Sequence, residues 1–150
     1  ILELMARWRR ALEAKDTQAM MEDYLESAVL FDAIPPYKVV GRDNIKKAWD
    51  SCLPFFPEGF RSEHRDLHIE VDGGLAVVHG LHHFVTEDPN HPCGASWMRI
   101  SLTFRHHRGA WKVVHEHISM PFNPMNNQVW NITDPEVLDA PDYCAAVKEA

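Results

Sequence analysis

Residues 97–121 read WMRISLTFRHHRGAWKVVHEHISMP, and this stretch decides the fold. Apolar and polar residues alternate from Trp97 to His107 and again from Trp111 to Ser119. Such alternation is typical of strands that bury one face. Arg108-Gly109 lies between the two runs and predicts a two-residue turn, because glycine readily adopts the positive φ that tight hairpins need. The stretch therefore predicts an antiparallel hairpin.

The residues before this hairpin show the same period of two. Leu67, Ile69 and Val71 alternate with polar neighbours, and residues 75–85 form a second long apolar-rich run. Asp72-Gly73-Gly74 separates these runs and predicts a turn. Four long strands in succession predict an antiparallel meander.

The first third of the chain has a helical period instead. Apolar residues recur at steps of three and four over residues 1–15, which predicts an amphipathic helix. A second helix is predicted to start at Asp16 as its cap and to extend through Leu25. Residues 28–31 predict a short strand, and Asp43 caps a third helix. Helices grouped before an antiparallel sheet predict an α+β layer fold with the helices on the inner sheet face.

Composition limits the classes of protein that this chain can represent. It has 150 residues, 45% of them hydrophobic, and a net charge of −7, which predicts one globular domain. The acidic balance argues against a nucleic-acid groove, and no apolar run reaches the eighteen residues of a membrane-spanning helix. The chain begins inside the first predicted helix, so we expect a short preceding piece.

The three cysteines point to a reducing compartment. Cys52, Cys93 and Cys144 lie far apart, without the close spacing of a zinc-thiolate site. An odd number of distant cysteines also argues against a disulfide framework. We therefore expect free thiols and a cytoplasmic location.

Pairing across the predicted hairpin places two of the ten histidines on the buried side of the sheet. With a two-residue turn, Phe104 faces Val113, Leu102 faces His115, and Ile100 faces His117. The apolar face would then carry both histidines toward the helices. A bulge between residues 96 and 103 would invert part of this assignment.

Three interpretations of His115 and His117 follow from that placement. Each ring could be hydrogen-bonded within the core, since a buried polar ring needs a partner. The pair could instead line a pocket between sheet and helices. It could also hold a metal, with His79 or His83 as a third nitrogen ligand.

Asp32 is the second candidate for chemistry. It directly follows Val29-Leu30-Phe31 and precedes Ala33-Ile34-Pro35-Pro36, where a strand leaves the core. An Asp in this position could cap a turn. It could also be a carboxylate at a pocket mouth that acts as a general base or orients a histidine.

Two segments of the chain resemble a known family. The last predicted strand, Gly109-Ala110-Trp111-Lys112-Val113-Val114-His115-Glu116-His117-Ile118-Ser119-Met120-Pro121, resembles the closing strand of SnoaL-like and ketosteroid-isomerase-like domains of the nuclear-transport-factor-2-like superfamily. Val29-Leu30-Phe31-Asp32, followed by Gly41-Arg42-Asp43-Asn44-Ile45, resembles the earlier half of these domains. The likeness covers residues 1–121, with 122–150 as a tail that belongs to the same domain or wraps a partner.

The resemblance implies a cone-shaped fold with a pocket. A strongly curved antiparallel sheet would wrap three helices, open at one end to an apolar cavity, and a homodimer would form through the outer sheet face. Members of the family include isomerases, cyclases, dehydratases and assembly domains, so fold alone does not choose a function.

The sequence therefore predicts a small-molecule pocket protein with acid–base chemistry on an apolar carbonyl or carboxylate ligand. Asp32, His115 and His117 are the predicted catalytic residues. The predicted ligand contacts are Tyr24, Trp49, Leu102, Phe104 and Ser119, although Tyr24 and Trp49 also fit a core role. No cofactor, nucleic acid or membrane partner is expected. The alternatives are a non-catalytic binding or oligomerisation module and a histidine metal site.

Overall fold

A computed structural model of the chain describes residues 1–143, so Cys144 and nearly all of the helix predicted for 142–149 lie outside the described residues. The helices are α1 (Leu2–Glu13), α2 (Thr17–Met20) and α3 (Arg42–Cys52). The strands are β1 (Tyr24–Phe31), β2 (Lys38–Val40), β3 (Phe60–Asp72), β4 (Leu75–Thr86), β5 (Met98–His107) and β6 (Ala110–Ser119). No helix within residues 1–143 is long and apolar enough to cross a membrane.

The helices follow the predicted pattern except where the second one ends. Helix α1 buries Leu4, Met5 and Leu12 on one side, and the Asp16 side chain caps α2 by accepting from the Ala19 N–H at 3.0 Å. Helix α2 ends at Met20, and the prediction that it extends through Leu25 is wrong, because Tyr24 and Leu25 belong to β1. The chain joins the sheet here instead of continuing the helix, because the Val113 N–H donates to the Asp23 carbonyl at 2.7 Å.

The predicted α+β fold is confirmed, with one sheet of six strands in the order β2-β1-β6-β5-β4-β3. Every neighbouring pair is antiparallel except β1 and β6, which run parallel, so the sheet is mixed. Helices α1 and α3 pack on its inner face. The inner residues of the long strands, Val78, Leu102 and Phe104 among them, join those helices in one hydrophobic core.

The sheet bends sharply between β3 and β4. The register shifts between Arg65 and His68, and Asp66 has a φ of 54°. A Cβ at Gly80 would lie 2.8 Å from Leu67 Cδ2 and 2.9 Å from the Arg65 carbonyl oxygen. The backbone of β3 thus approaches Gly80 more closely than any side chain allows. This bend curves the sheet around the helices.

A second irregularity lies in the hairpin that decides the fold. The two-residue turn is confirmed, with Arg108 and Gly109 at φ of 50° and 82°, and Phe104 pairs with Val113 as predicted. The next pair is Thr103 with His115, because Val114 is an extra, bulged residue on β6. One inserted residue moves all later side chains to the opposite face.

The tail after β6 returns across one end of the sheet. The backbone of Trp97 pairs with Ile132, and the Ile132 N–H also donates to Ser96 Oγ at 2.8 Å. Buried Asn123 organises a tight turn, in which its side-chain oxygen accepts from the Met125 N–H at 2.9 Å. A turn at Asp134–Val137 replaces the helical piece predicted for 135–139.

Candidate functional site

A large cavity of about 710 Å³ opens between the sheet and helix α3. Its walls come from the end of β1, the loop 32–36, helix α3, the inner face of β4, the loop 92–98 and the tail residues Met120, Val129 and Asn131. The volume is in the range of pockets that hold small organic molecules. We call this space the large cavity.

Asp32 lies on the wall of the large cavity, as predicted from its position after the first strand. It directly follows β1, and its backbone N–H donates to the Tyr37 carbonyl at 3.1 Å, which closes the loop through the Pro35-Pro36 pair. Burial raises the pKa of its carboxyl above the usual range, and the backbone N–H groups of Ile34 and Ala33 oppose that shift only in part. The geometry provides a partly desolvated carboxylate in an apolar space.

His82 on β4 also lines the large cavity, although it is not among the site residues predicted from the sequence. Its side chain is 2% exposed, and its Nε2 lies 2.6 Å from Ser62 Oγ. Burial lowers the pKa of the imidazole well below its usual value, so the ring is neutral at neutral pH. The even-numbered apolar residues Ala76, Val78 and Phe84 are the signal that could have placed His82 inside.

A small cavity of about 30 Å³ lies deeper, between α1 and the sheet. At its wall, the Tyr24 hydroxyl donates to Glu116 Oε2 at 2.5 Å, and both residues are buried. Burial raises the pKa of Glu116 to about 7, with the nearby Asp32 charge acting in the same direction. His82 and Ile118 line both cavities, so they form the boundary between them.

A second inner histidine, His64, borders the small cavity. Its ring stacks on Trp8 with centroids 6.2 Å apart and lies 5.0 Å from the His82 ring. Burial lowers the pKa of His64 to about 4, and the nearby Arg9 charge adds to that effect. The two inner histidines are therefore neutral hydrogen-bonding groups at neutral pH.

The structure corrects the predicted placement of His115 and His117. The bulge at Val114 turns both side chains to the outer face, while Glu116 and Ile118 point inward. The His115 Nδ1–H donates a hydrogen bond to the Val29 carbonyl oxygen at 2.8 Å, and His117 is exposed beside Phe31. Neither residue lines the large or the small cavity.

The predicted ligand contacts divide between the two cavities. Trp49 lines the large cavity, whereas Tyr24, Leu102 and Phe104 line the small one. Ser119 pairs with Arg99 and lines neither space, since its neighbours Ile118 and Met120 point inward instead.

The predicted metal triad does not assemble. His79 stacks on His68, and His83 stacks on Trp97 while its Nε2 contacts the Gly94 carbonyl oxygen at 2.9 Å. Ser101 on β5 pairs with both His79 and His117, so a whole strand separates these two histidines. In the part of the chain that the structure describes, no group of three His, Cys, Asp or Glu side chains could hold a metal ion.

Comparison with known proteins supports the resemblance that the sequence suggested. Residues 1–123 match the family model of the SnoaL-like domain. The chain is similar to a solved NTF2-like protein of unknown function from Pseudomonas putida, at 27% identity over 89% of this chain and 92% of that one, with a TM-score of 0.81. No curated protein matches the chain.

Two more distant structures share the fold. One is a proposed scytalone dehydratase from Novosphingobium aromaticivorans, at 18% identity over 77% of this chain and 78% of that one, with a TM-score of 0.66. The other is a proposed dehydratase of the NTF2-like family from Streptomyces avermitilis, at 16% identity over 77% and 89%, with a TM-score of 0.65. Identities this low show a common fold.

Proposed function

Because the chain belongs to the SnoaL-like domain family, in which fold alone does not choose a reaction, we propose a function from the geometry of its cavity. The protein binds a small apolar molecule in the large cavity and transfers a proton from it, with Asp32 as the general base. The observation that carries this proposal is a partly buried carboxylate on the wall of an apolar cavity of about 710 Å³.

Burial suits Asp32 to this role. A carboxylate with a raised pKa is a stronger base, and its pKa lies closer to the pH at which the protein works. An apolar wall also strengthens each hydrogen bond that the ligand makes inside. The two proposed dehydratases of this fold are named for eliminations, a class of reaction that needs such a base.

His82 is the proposed partner of Asp32 in this chemistry. Ser62 occupies its Nε2, so Nδ1 is the ring nitrogen left for a ligand. When the Ser62 hydroxyl donates to Nε2, the proton of the neutral imidazole stands on Nδ1. That N–H can donate to a ligand oxygen on which negative charge develops.

The elimination of 5-nitrobenzisoxazole tests this proposal without knowledge of the natural substrate. A base removes the proton on C3, the ring N–O bond breaks, and a nitrile and a phenolate form. We expect the wild-type protein to accelerate the reaction and Asp32→Asn to lower the rate at least about 100-fold. The rate should rise with pH through a midpoint above the usual range of an Asp carboxyl.

His117→Ala is the matched control for this assay, because His117 is exposed on the outer sheet face. It should keep the wild-type rate. Equal rates for wild-type protein, Asp32→Asn and buffer would overturn the proposed chemistry and favour a non-catalytic binding module.

We propose further that the chain forms a homodimer through its outer sheet face. Exposed apolar side chains lie on that face, including Phe31, Val40 and Val77, which are 37%, 54% and 50% exposed. Burial of such side chains against a second copy would stabilise a dimer. Sedimentation velocity should give a dimer for the wild-type chain and a monomer for Val77→Lys; a wild-type monomer would contradict this.

We also propose that the protein works in a reducing, cytoplasmic compartment, because its two described cysteines are free thiols. Cys52 and Cys93 are free thiols on the wall of the large cavity, and burial raises the pKa of Cys52 to about 11. A thiol held in its protonated form is a weak nucleophile, so these residues shape the cavity rather than carry covalent chemistry.

A further inference from the structure

The wall of the large cavity carries charge of one sign. Asp32 is its one carboxylate within residues 1–143, and no lysine or arginine among those residues lines it. His82 adds no charge at neutral pH, because burial disfavours the imidazolium form. The boundary toward the small cavity leads to two further carboxyls, those of Asp23 and Glu116, and no lysine or arginine of the described residues lines that space. Asp23 is already paired with Arg7 at 2.9 Å, so Glu116 is the one of the two without an ion pair among the described residues.

Aromatic rings form a continuous wall in the same cavity. Trp49 lies against Phe56 with centroids 6.4 Å apart, and Phe56 meets Phe84 edge to face at 4.9 Å. All three side chains line the large cavity. Such rings offer apolar surface to a hydrophobic body, and their faces also attract a cation bound nearby.

From this combination we infer that the ligand of the large cavity is an apolar organic cation, a protonated amine or a quaternary ammonium carried on a hydrophobic body. The cationic nitrogen lies against Asp32, and the apolar body lies against Trp49, Phe56 and Phe84. The inference rests on the proposed function, since it concerns the same cavity, and it replaces the carbonyl or carboxylate ligand that the sequence predicted.

Charge complementarity separates the possible ligands. A carboxylate ligand would place a second negative charge near Asp32 with no arginine or lysine of the described wall to neutralise either one. A neutral ligand would leave the partly desolvated Asp32 carboxylate without a counter-charge. An ammonium group supplies that charge and can donate hydrogen bonds to the same oxygens.

Three probes that share one ring system test the inference by calorimetric titration of the full chain. They are 1-naphthylmethylammonium, 1-naphthalenemethanol and 1-naphthoate, which differ mainly in charge. We expect the cation to bind about tenfold more tightly than the alcohol, and the anion to bind about tenfold more weakly, as one partly desolvated charge pair allows. Asp32→Asn should remove the roughly tenfold preference for the cation over the alcohol.

A pH titration of the wild-type protein provides the same test without a substitution. Glu116, whose charge interacts with that of Asp32, becomes neutral as pH falls through about 7 and should lower cation affinity slightly. Cation affinity should then fall further at acid pH as the Asp32 carboxylate takes up a proton, while alcohol affinity changes less than cation affinity over the same range. Ala48→Trp, which fills the large cavity from α3, should weaken all three probes.

The outcomes separate this inference from the proposed function. An alcohol that binds as tightly as the cation, or a cation preference that survives Asp32→Asn, would overturn the inference. A wild-type protein that binds none of the three probes would overturn it as well. The benzisoxazole elimination decides separately whether Asp32 is a base, so failure of the base role and failure of the cation preference are distinguishable.

Discussion

The two faces of the sheet carry similar residues in opposite circumstances. On the inner face, His64 and His82 are held neutral by burial, close to the carboxyl of Glu116. On the outer face, His117 is exposed and His115 donates a hydrogen bond to a backbone carbonyl. The contrast teaches that the face of the sheet on which a histidine lies decides whether it meets a cavity.

The largest expected effect comes from disturbing the bend that curves the sheet and separates its two faces. Gly80→Ala would place a Cβ 2.9 Å from the Arg65 carbonyl oxygen, and backbone cannot move aside as a flexible side chain can. We expect a loss of about 3 kcal/mol in the free energy of unfolding, measured by denaturant titration. Gly74→Ala, with nothing within 4 Å of its Cβ, is the control; equal losses in both variants would count against the bend.

A second prediction concerns the buried carboxyl of the inner face. The pKa of Glu116 is about 7 in the folded chain against 4.5 for an exposed group, so the folded state binds the proton more tightly. Stability contributed by this group is therefore complete below pH 4.5 and is lost as pH rises through about 7. Glu116→Gln should stabilise the protein at pH 8 and above by up to about 3 kcal/mol.

The same variant carries its own control. At pH 4.5 Glu116 is protonated and close in character to glutamine, so the two proteins should unfold at similar denaturant concentrations. A constant difference between them from pH 4.5 to 9 would show that the Glu116 carboxyl does not titrate as described.

A third prediction compares one histidine from each face of β4. His82→Ala removes a fully buried ring and leaves Ser62 without its partner at 2.6 Å, so we expect a loss of about 2 kcal/mol. His79→Ala on the outer face should cost less than about 0.5 kcal/mol, because its side chain is exposed. Similar losses from thermal or denaturant unfolding of both variants would remove the distinction between the faces.

The smallest expected effect belongs to His115. His115→Ala would leave the Val29 carbonyl without the ring nitrogen at 2.8 Å, at a cost of about 1 kcal/mol. The rate of 5-nitrobenzisoxazole elimination should not change, since His115 lines neither cavity. An elimination rate that falls in His115→Ala would contradict this prediction and indicate that His115 takes part in the reaction.

Much of the fold could be predicted from local patterns in the sequence. The amphipathic period of α1, the cap at Asp16 and the Arg108-Gly109 turn each depend on a few neighbouring residues, and each is found in the structure. Asp32 could be placed for the same reason, because the end of an apolar strand before a proline pair is a local signal.

The face that each residue of β6 presents could not be predicted in this way. The position of the bulge at Val114 depends on how the sheet curves around the helices, and local patterns fix it only weakly. The doublet Val113-Val114 does interrupt the alternation, and it is the one sequence signal that points to the bulge. The cavity wall formed by Val129 and Asn131 depends on the path of the tail, which lacks any periodic pattern.

The most direct test of the inner-face site is an NMR titration that observes the rings of the ten histidines while 1-naphthalenemethanol is added. Because this probe is neutral, its binding tests the cavity itself and does not depend on the proposed preference for cations. We predict that the ring signals of His82 shift on binding, whereas those of His115 and His117 do not. Shifts confined to His115 and His117 would contradict the inner-face site and place the ligand on the outer face of the sheet.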